Sequence, residues 1–236
     1  DKNYSFSKQL KVADTLNFLT RCSTIFRENI NTKIISITGS CGKTTLKEMI
    51  GITLKSISRT TFSPKSFNNK YGVPLSLLNL KPKDEFGVLE VGMDRKGEIN
   101  NLSRIIKPDL GIITNISYAH SKNFKNIKNI ADAKAEIMNN IKKGGTIILN
   151  KDDDFYDYHK KIALLKNLKV ISFSIHNRSA SVKLMNIKRI KKIYDLSIDI
   201  NGKLLSFFAQ NDNKSNIYNI LATLASIDEF SDIQYL

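Results

Sequence analysis

The sequence predicts an α/β fold: a mostly parallel, phosphate-loop-containing sheet flanked by helices, with a small antiparallel subsheet near the C-terminus. Three observations carry this. Strand-length runs rich in Ile and Val, with little polar alternation, recur up to about Ser174, as expected of strands buried on both faces. A helix-length segment separates one such run from the next, which is how parallel neighbours are connected. Beyond Ala180 the period drops to two in "SVKLMNIKRI", "IYDLSIDI" and "LLSFFAQ", and Asn201-Gly202 supplies a hairpin turn.

Taken in order, the first 32 residues predict a helix over 12–26 that feeds the first strand, 33–38. Further strands are expected over 58–62, 87–91, 110–115, 146–150 and 169–174. Helices are expected over 44–56, 73–80, 97–106, 130–141 and 155–165, and a last one over 215–226 is capped by Ser215 or an adjacent Asn. No internal repeat or low-complexity linker interrupts the series.

At 236 residues and 41% hydrophobic content the chain has ample material for a packed core. Its longest apolar runs, "GTIILN" and "LGIIT", fall far short of the roughly 20 residues that span a bilayer, and no signal-peptide pattern opens the sequence. A soluble, cytoplasmic monomer without membrane insertion is expected. Cys22 and Cys41 stand alone, which excludes a disulfide framework or a paired-cysteine metal site. The net charge of +15 invites a nucleic-acid reading, but 30 of the 37 basic residues are Lys and they are scattered through every element. Base readout favours Arg, and single-strand binding favours interleaved aromatics. The expectation is therefore no nucleic acid, but a lysine-biased surface around a site that handles anions.

The segment "ITGSCGKTT", 37–45, sits between a predicted strand and a predicted helix, the order a phosphate site requires. Backbone N–H groups at the helix start point at an anion, and the helix dipole adds attraction. Gly39, Ser40, Cys41 and Gly42 would form the loop, Lys43 would reach the phosphates, and Thr44 and Thr45 would follow on the helix. Only two residues separate the two glycines, fewer than the common signature has. Other polar residues fall at strand ends, where open α/β sheets place their ligands. "VLEVGMDRKGEI" puts Glu90 at the end of a buried strand, as a metal ligand or as a structural cap or ion pair. "TNISYAH" brings His120 to the same rim, as a structural residue or a ligand. Lys134 in "IADAKAEI" reads, on these residues by themselves, as a solvated surface lysine. Asn68 and Asn69 in "KSFNNKYGVP" are equally compatible with a plain turn.

Seven segments in order, "ITGSCGKTT", "NNKYGVP", "EVGMDRKGEI", "TNISYAH", "ADAKAEI", "GTIILNKDD" and "SNIYNILATLA", together resemble the Mur ligase family, ATP-dependent amide-forming enzymes of peptidoglycan precursor synthesis. "EVGMDRKGEI" is similar to the branch that adds D-alanyl-D-alanine to UDP-N-acetylmuramoyl-tripeptide. The resemblance implies that Lys43 and Thr44 meet ATP phosphates and magnesium, and that Glu90 is a magnesium ligand. It implies a second magnesium held by His120 and a carbamylated Lys134. Asn68 and Asn69 would lie near the reacting phosphate, and Asn216 and Asn219 against the adenine. Catalytic roles fall to Lys43, Lys134 and His120, with ATP and two magnesium ions as cofactors. The chemistry implied is attack of the tripeptide carboxylate on ATP, followed by amide formation from the acyl phosphate.

Two departures from the family pattern are present. Ser36 stands where a glycine is usual, and Asn213-Lys214-Ser215-Asn216 replaces a Gly-x-His-Asn run. The resemblance further implies that 1–32 is a linker helix from an N-terminal substrate domain and 33–236 the central ATP-binding domain, with a C-terminal ligase domain absent. The isolated chain is then expected to bind ATP weakly and to ligate poorly. Alternatives are a sibling ligase of the folylpolyglutamate or cyanophycin type, and a nucleotide-binding module without catalysis.

Overall fold

The computed structural model describes residues 10–118 and 123–230. In chain order the helices are α1 (Thr15–Glu28), α2 (Lys43–Ile57), α3 (Gly72–Leu78), α4 (Glu98–Ile106), α5 (Ile127–Ala135), α6 (Tyr156–Leu165) and α7 (Lys214–Asp228). The strands are β1 (Lys33–Thr38), β2 (Thr60–Phe62), β3 (Phe86–Glu90), β4 (Leu110–Ile113), β5 (Thr146–Asn150), β6 (Lys169–Ser174), β7 (Val182–Ile190), β8 (Ile193–Ile200) and β9 (Lys203–Ala209). They form one sheet in the order β2-β3-β1-β4-β5-β6-β7-β8-β9. Neighbours from β2 through β7 run parallel, while the β7–β8 and β8–β9 pairs are antiparallel.

The expected fold class is therefore the observed one. Asn201 and Gly202 both have positive φ, 50° and 93°, which a two-residue hairpin with right-handed twist needs. The predicted subsheet is joined to the main sheet, since β7 pairs with β6 at Phe173↔Val182 and Ser174↔Lys183.

Alternate residues of β1 feed opposite faces. Ile35 and Ile37 join one apolar cluster with Leu46, Ile50 and Leu54 of α2 and Leu221 and Ala225 of α7. Ile34 joins the other, with α3, α4, α5 and α6. The spacing by four of Leu46, Ile50 and Leu54 sets a single stripe of α2 against the sheet, and each fully buried side chain contributes ~1.5–3 kcal/mol. On that second face α1 is fixed by Arg27, only 3% exposed. Arg27 Nε donates to Ile106 O at 2.6 Å, and Nη2 donates to Lys107 O and Asp109 Oδ2 at 3.0 and 3.3 Å, closing the C-terminal end of α4.

Several boundaries differ from expectation for local reasons. α5 starts at Ile127 because Asn126 Oδ1 accepts from Asn129 N, and it ends at Ala135 in a 3₁₀ turn, Glu136–Asn139. The Glu136 carboxylate there accepts from Gly97 N and Asn100 N at the start of α4. α7 starts at Lys214 under an Asn213 cap, not a Ser215 cap. β4 stops at Ile113, freeing Thr114 and Asn115 to turn toward β1. No helix among the described residues is long and apolar enough to cross a membrane.

β1 lies between β3 and β4, so the direction of strand progression reverses at β1. The crevice at the carboxyl ends of β1, β3 and β4 is where such sheets bind ligands.

Candidate functional site

The "GSCG" loop leaves β1 at that reversal point. Gly39 has φ +143°, and a Cβ there would lie 1.9 Å from Thr114 Oγ1. Gly42, with φ +82°, caps α2 in a left-handed conformation. The loop is strapped to the chain following β4. Ser40 N donates to Asn115 O, Cys41 N donates to Asn115 Oδ1, and Thr114 Oγ1 donates to Cys41 O, at 2.9, 3.0 and 2.7 Å. Ser40 Oγ donates to Ser117 O and accepts from Ser117 N. Two adjacent strand ends thus hold one another, which preorganises the loop before any anion arrives.

Lys43, the first residue of α2, folds back over this loop. Its Nζ donates to Gly39 O at 2.9 Å and to Ser40 O at 3.2 Å. Burial lowers its pKa, and the charges of Glu90 and Cys41 oppose that shift.

Glu90 ends β3 and is 1% exposed. Its Oε2 accepts from Thr44 Oγ1 and its Oε1 accepts from Asn68 Nδ2, both at 2.7 Å. Ser66 Oγ is 3.4 Å from Thr44 Oγ1. Among the described residues no ammonium or guanidinium lies within 4.0 Å of the Glu90 carboxylate. A buried carboxylate held only by neutral donors is a place that a cation completes. The structural-ion-pair alternative for Glu90 finds no contacting partner among the described residues, although the Lys43 charge reaches it at longer range.

Lys134 is not the solvated lysine that its residue pattern suggests. It is 2% exposed on α5, with Ala131, Ala133 and Ala135 buried around it. Its Nζ donates to Gly39 O at 2.9 Å, the carbonyl that Lys43 also uses. Burial, and then the charge of Lys43, pull its pKa down to about 7, with Cys41 opposing.

The other expected residues are distributed as follows. Asn68 faces the site through Glu90, whereas Asn69 Oδ1 accepts from Tyr71 N and Gly72 N and so caps α3. Asn219 on α7 is 7% exposed and faces the loop, with its Oδ1 3.2 Å from where a Gly42 Cβ would be. Asn216, on the same helix, is half-buried, and Thr45 is exposed. His120 lies outside the described residues. Among the described residues no three His, Cys, Asp or Glu side chains converge as a metal cluster.

Lys43 and Lys134 open into a cavity of about 720 Å³ whose walls include Asn68, Tyr71, Arg95 and Asn101. Its lining carries four cations, Lys43, Lys70, Arg95 and Lys134, against the carboxylates Asp94 and Glu98, with several amides between them, which suits an anionic, multiply polar ligand.

Sequence reasoning missed Thr114, Asn115, Ser66 and Lys47, the last a fully buried lysine on α2. Thr114 and Asn115 carried a signal: two polar residues directly after an apolar strand. Ser66 and Lys47 make contacts that depend on how α2 lies over the chain following β2, which no local pattern reveals.

Residues 37–227 match the family model of the Mur ligase middle domain. The chain is 35% identical over 201 residues to the UDP-N-acetylmuramoyl-tripeptide–D-alanyl-D-alanine ligase of Rickettsia prowazekii, a match covering 84% of this chain and 44% of that one. It is 33% identical over 215 residues to the ligase of the same name from Bacillus subtilis, covering 91% and 45%. The structure is similar to that of MurF from Acinetobacter baumannii, with a TM-score of 0.85 at 31% identity, covering 93% of this chain and 48% of that one. The chain thus spans less than half the length of each of these three proteins.

Proposed function

Because this chain belongs to the Mur ligase family through its middle domain, we propose that it binds magnesium–ATP and is the phosphoryl-transfer part of a ligase that joins D-alanyl-D-alanine to UDP-N-acetylmuramoyl-tripeptide. The observation that carries this reading is the convergence of a preorganised phosphate loop, a buried carboxylate whose hydrogen bonds come from neutral donors, and two lysines on the wall of one cavity. With these substrates the reaction would run in the cytoplasm. The uridine nucleotide and the amine would be gripped by domains outside these 236 residues, with 1–32 leading in from the first of them.

The residues present fit a magnesium ion. Thr44 and Glu90 offer a hydroxyl and a carboxylate oxygen already 2.7 Å apart, the hard donors that this cation prefers. Magnesium bound there would neutralise charge on the transferring phosphates. The Lys134 amine, with its pKa near neutrality, is partly unprotonated at pH 7. Addition of its nitrogen to carbon dioxide, with loss of a proton, would turn a buried cation into an anionic oxygen ligand. Lys134 and His120 are then proposed as holders of a second ion.

The chain's own residues act as follows. The loop amides and Lys43 receive the phosphates, with Lys43 moving off Gly39 O and Ser40 O to do so. Asn216 and Asn219 on α7 would meet the adenine, and Asn68 keeps Glu90 oriented. The tripeptide's terminal carboxylate enters by the cavity and attacks the γ-phosphorus, and ADP leaves. The amine of D-alanyl-D-alanine then attacks the acyl carbonyl, phosphate leaves, and the amide forms. Electrostatic stabilisation by the loop amides, Lys43 and the bound cation would be the main contribution of the site.

Phosphate release by the intact protein should require both UDP-N-acetylmuramoyl-tripeptide and D-alanyl-D-alanine. Release driven by a folate, or independent of both substrates, would overturn the assignment. Lys43→Ala should abolish binding of magnesium–ADP in calorimetry, and an unchanged affinity would refute the loop's role.

A further inference from the structure

Lys47 takes no part in the reaction described above, yet it is fully buried, at 0% exposure. Its Nζ donates to Lys65 O at 2.6 Å and lies 2.8 Å from Glu48 Oε1. Placing an ammonium in the interior is unfavourable unless its geometry is well satisfied. A lysine on an outer helix face would avoid that cost, so its inward position has a structural consequence.

Lys47 is three residues beyond Thr44 on α2, and Gly51 lies four further on, along the same face. A Cβ at Gly51 would come within 2.5 Å of the Phe62 ring, so α2 sits directly on β2. That close approach brings Lys47 over the segment 63–69, which runs from β2 to α3 and carries Ser66 and Asn68. Lys65 in its middle has φ +45°, a left-handed conformation that is strained for a lysine. Ser63 Oγ accepts from Glu90 N at 3.4 Å, and Asn68 O accepts from Gly92 N at 2.8 Å. The ends of the segment are therefore held by β3 and the residues after it, and its strained middle is held by Lys47.

We infer that Lys47 is a positioning residue: its ammonium clamps Lys65 O in the left-handed turn and thereby keeps Ser66 and Asn68 against the Thr44–Glu90 pair. A methionine at this position would fill the same volume without holding the carbonyl. The turn would relax, and Asn68 would release Glu90. The phosphate loop itself, on the far side of Thr44, would keep its own hydrogen bonds.

The inference rests on the reading of this cleft as a magnesium–nucleotide site, and the test separates the two. ADP affinity is measured by calorimetry on the whole chain, once with magnesium and once with EDTA, for the unmutated protein, Lys47→Met and Lys47→Arg. Lys47→Met should lose about 10- to 100-fold in the magnesium-dependent affinity, as removal of a group that orients a metal ligand does. Its affinity in EDTA should stay unchanged, and Lys47→Arg should recover most of the loss. Equal affinities for Lys47→Met and the unmutated protein would overturn the inference, as would equal losses with and without magnesium. Should Lys47→Met not fold, Lys47→Gln takes its place, since it keeps a donor that falls short of Lys65 O. Absence of ADP binding by the unmutated protein would sink the nucleotide reading, and this inference with it.

Discussion

Replacing Lys134 by methionine should stabilise the metal-free protein, and by an amount that depends on pH. The side chain is 2% exposed, its hydrogen bond among the described residues goes to Gly39 O, and the neighbouring cation is Lys43. Its pKa falls from 10.5 to about 7 on folding. The folded-state value lies below the unfolded one, so between pH 7 and pH 10.5 the unfolded chain binds more protons, and stability rises with pH across that window. At 1.36 kcal/mol per unit, the buried lysine costs roughly 4 kcal/mol at pH 7 and about 2 kcal/mol at pH 9. The advantage of Lys134→Met in urea unfolding, in EDTA and carbon-dioxide-free buffer, should therefore shrink by about 2 kcal/mol between those two pH values. A difference between the two proteins that is the same at both, or a methionine variant less stable at pH 7, would refute the reasoning. A site that keeps so costly a residue does so for chemistry, and the same substitution should abolish ligation.

Three further outcomes are expected. Gly39→Ala places a Cβ 1.9 Å from Thr114 Oγ1 at a φ of +143°; it should cost at least about 1–3 kcal/mol in strain and remove ADP binding in calorimetry, and wild-type affinity would show that the loop is laxer than described. Ser36 Oγ is fully buried without a partner among the described residues, so Ser36→Ala should gain about 1 kcal/mol in urea unfolding; a loss would mean that the hydroxyl is bonded. His159 is buried on Ala131 O, and burial holds its pKa below 6.5 against the opposing pull of that carbonyl, Asp153 and Asp132. The unfolded chain then takes up the proton first, stability is lost as pH falls below about 6.5, and His159→Leu should flatten the fall between about pH 7 and pH 5 in chemical denaturation; an equally steep fall in the variant would contradict this.

The elements were legible where one signal dominated. Apolar runs such as 33–38, 146–150 and 169–174 match β1, β5 and β6 residue for residue, because a strand buried on both faces has no competing pattern. α5 began early because a single asparagine cap, Asn126, outweighed the weak periodicity of its first turn. The chemistry was legible as residue types and less so as partners. The loop and Glu90 follow from strand ends, but the burial of Lys134 does not, although three neighbouring alanines are the clue that its side of the helix is packed, with the polar side carried by Lys128 and Asp132. Lys47 gave no clue at all. Its neighbour across α2 is a backbone carbonyl 18 residues away, and an apolar stripe of Leu46, Ile50 and Leu54 says nothing of what lies beside it.

Phosphorylation of the acceptor carboxylate is the step from which every other role of this cleft follows. The direct measurement gives the intact protein ATP, D-alanyl-D-alanine and a tripeptide acceptor whose terminal carboxylate carries a heavy oxygen isotope, and then follows the released phosphate by mass. Attack of that carboxylate on the γ-phosphorus predicts phosphate carrying one labelled oxygen, with Lys43→Ala releasing none. Unlabelled phosphate formed together with the amide would contradict the acyl-phosphate route and the role given to this cleft.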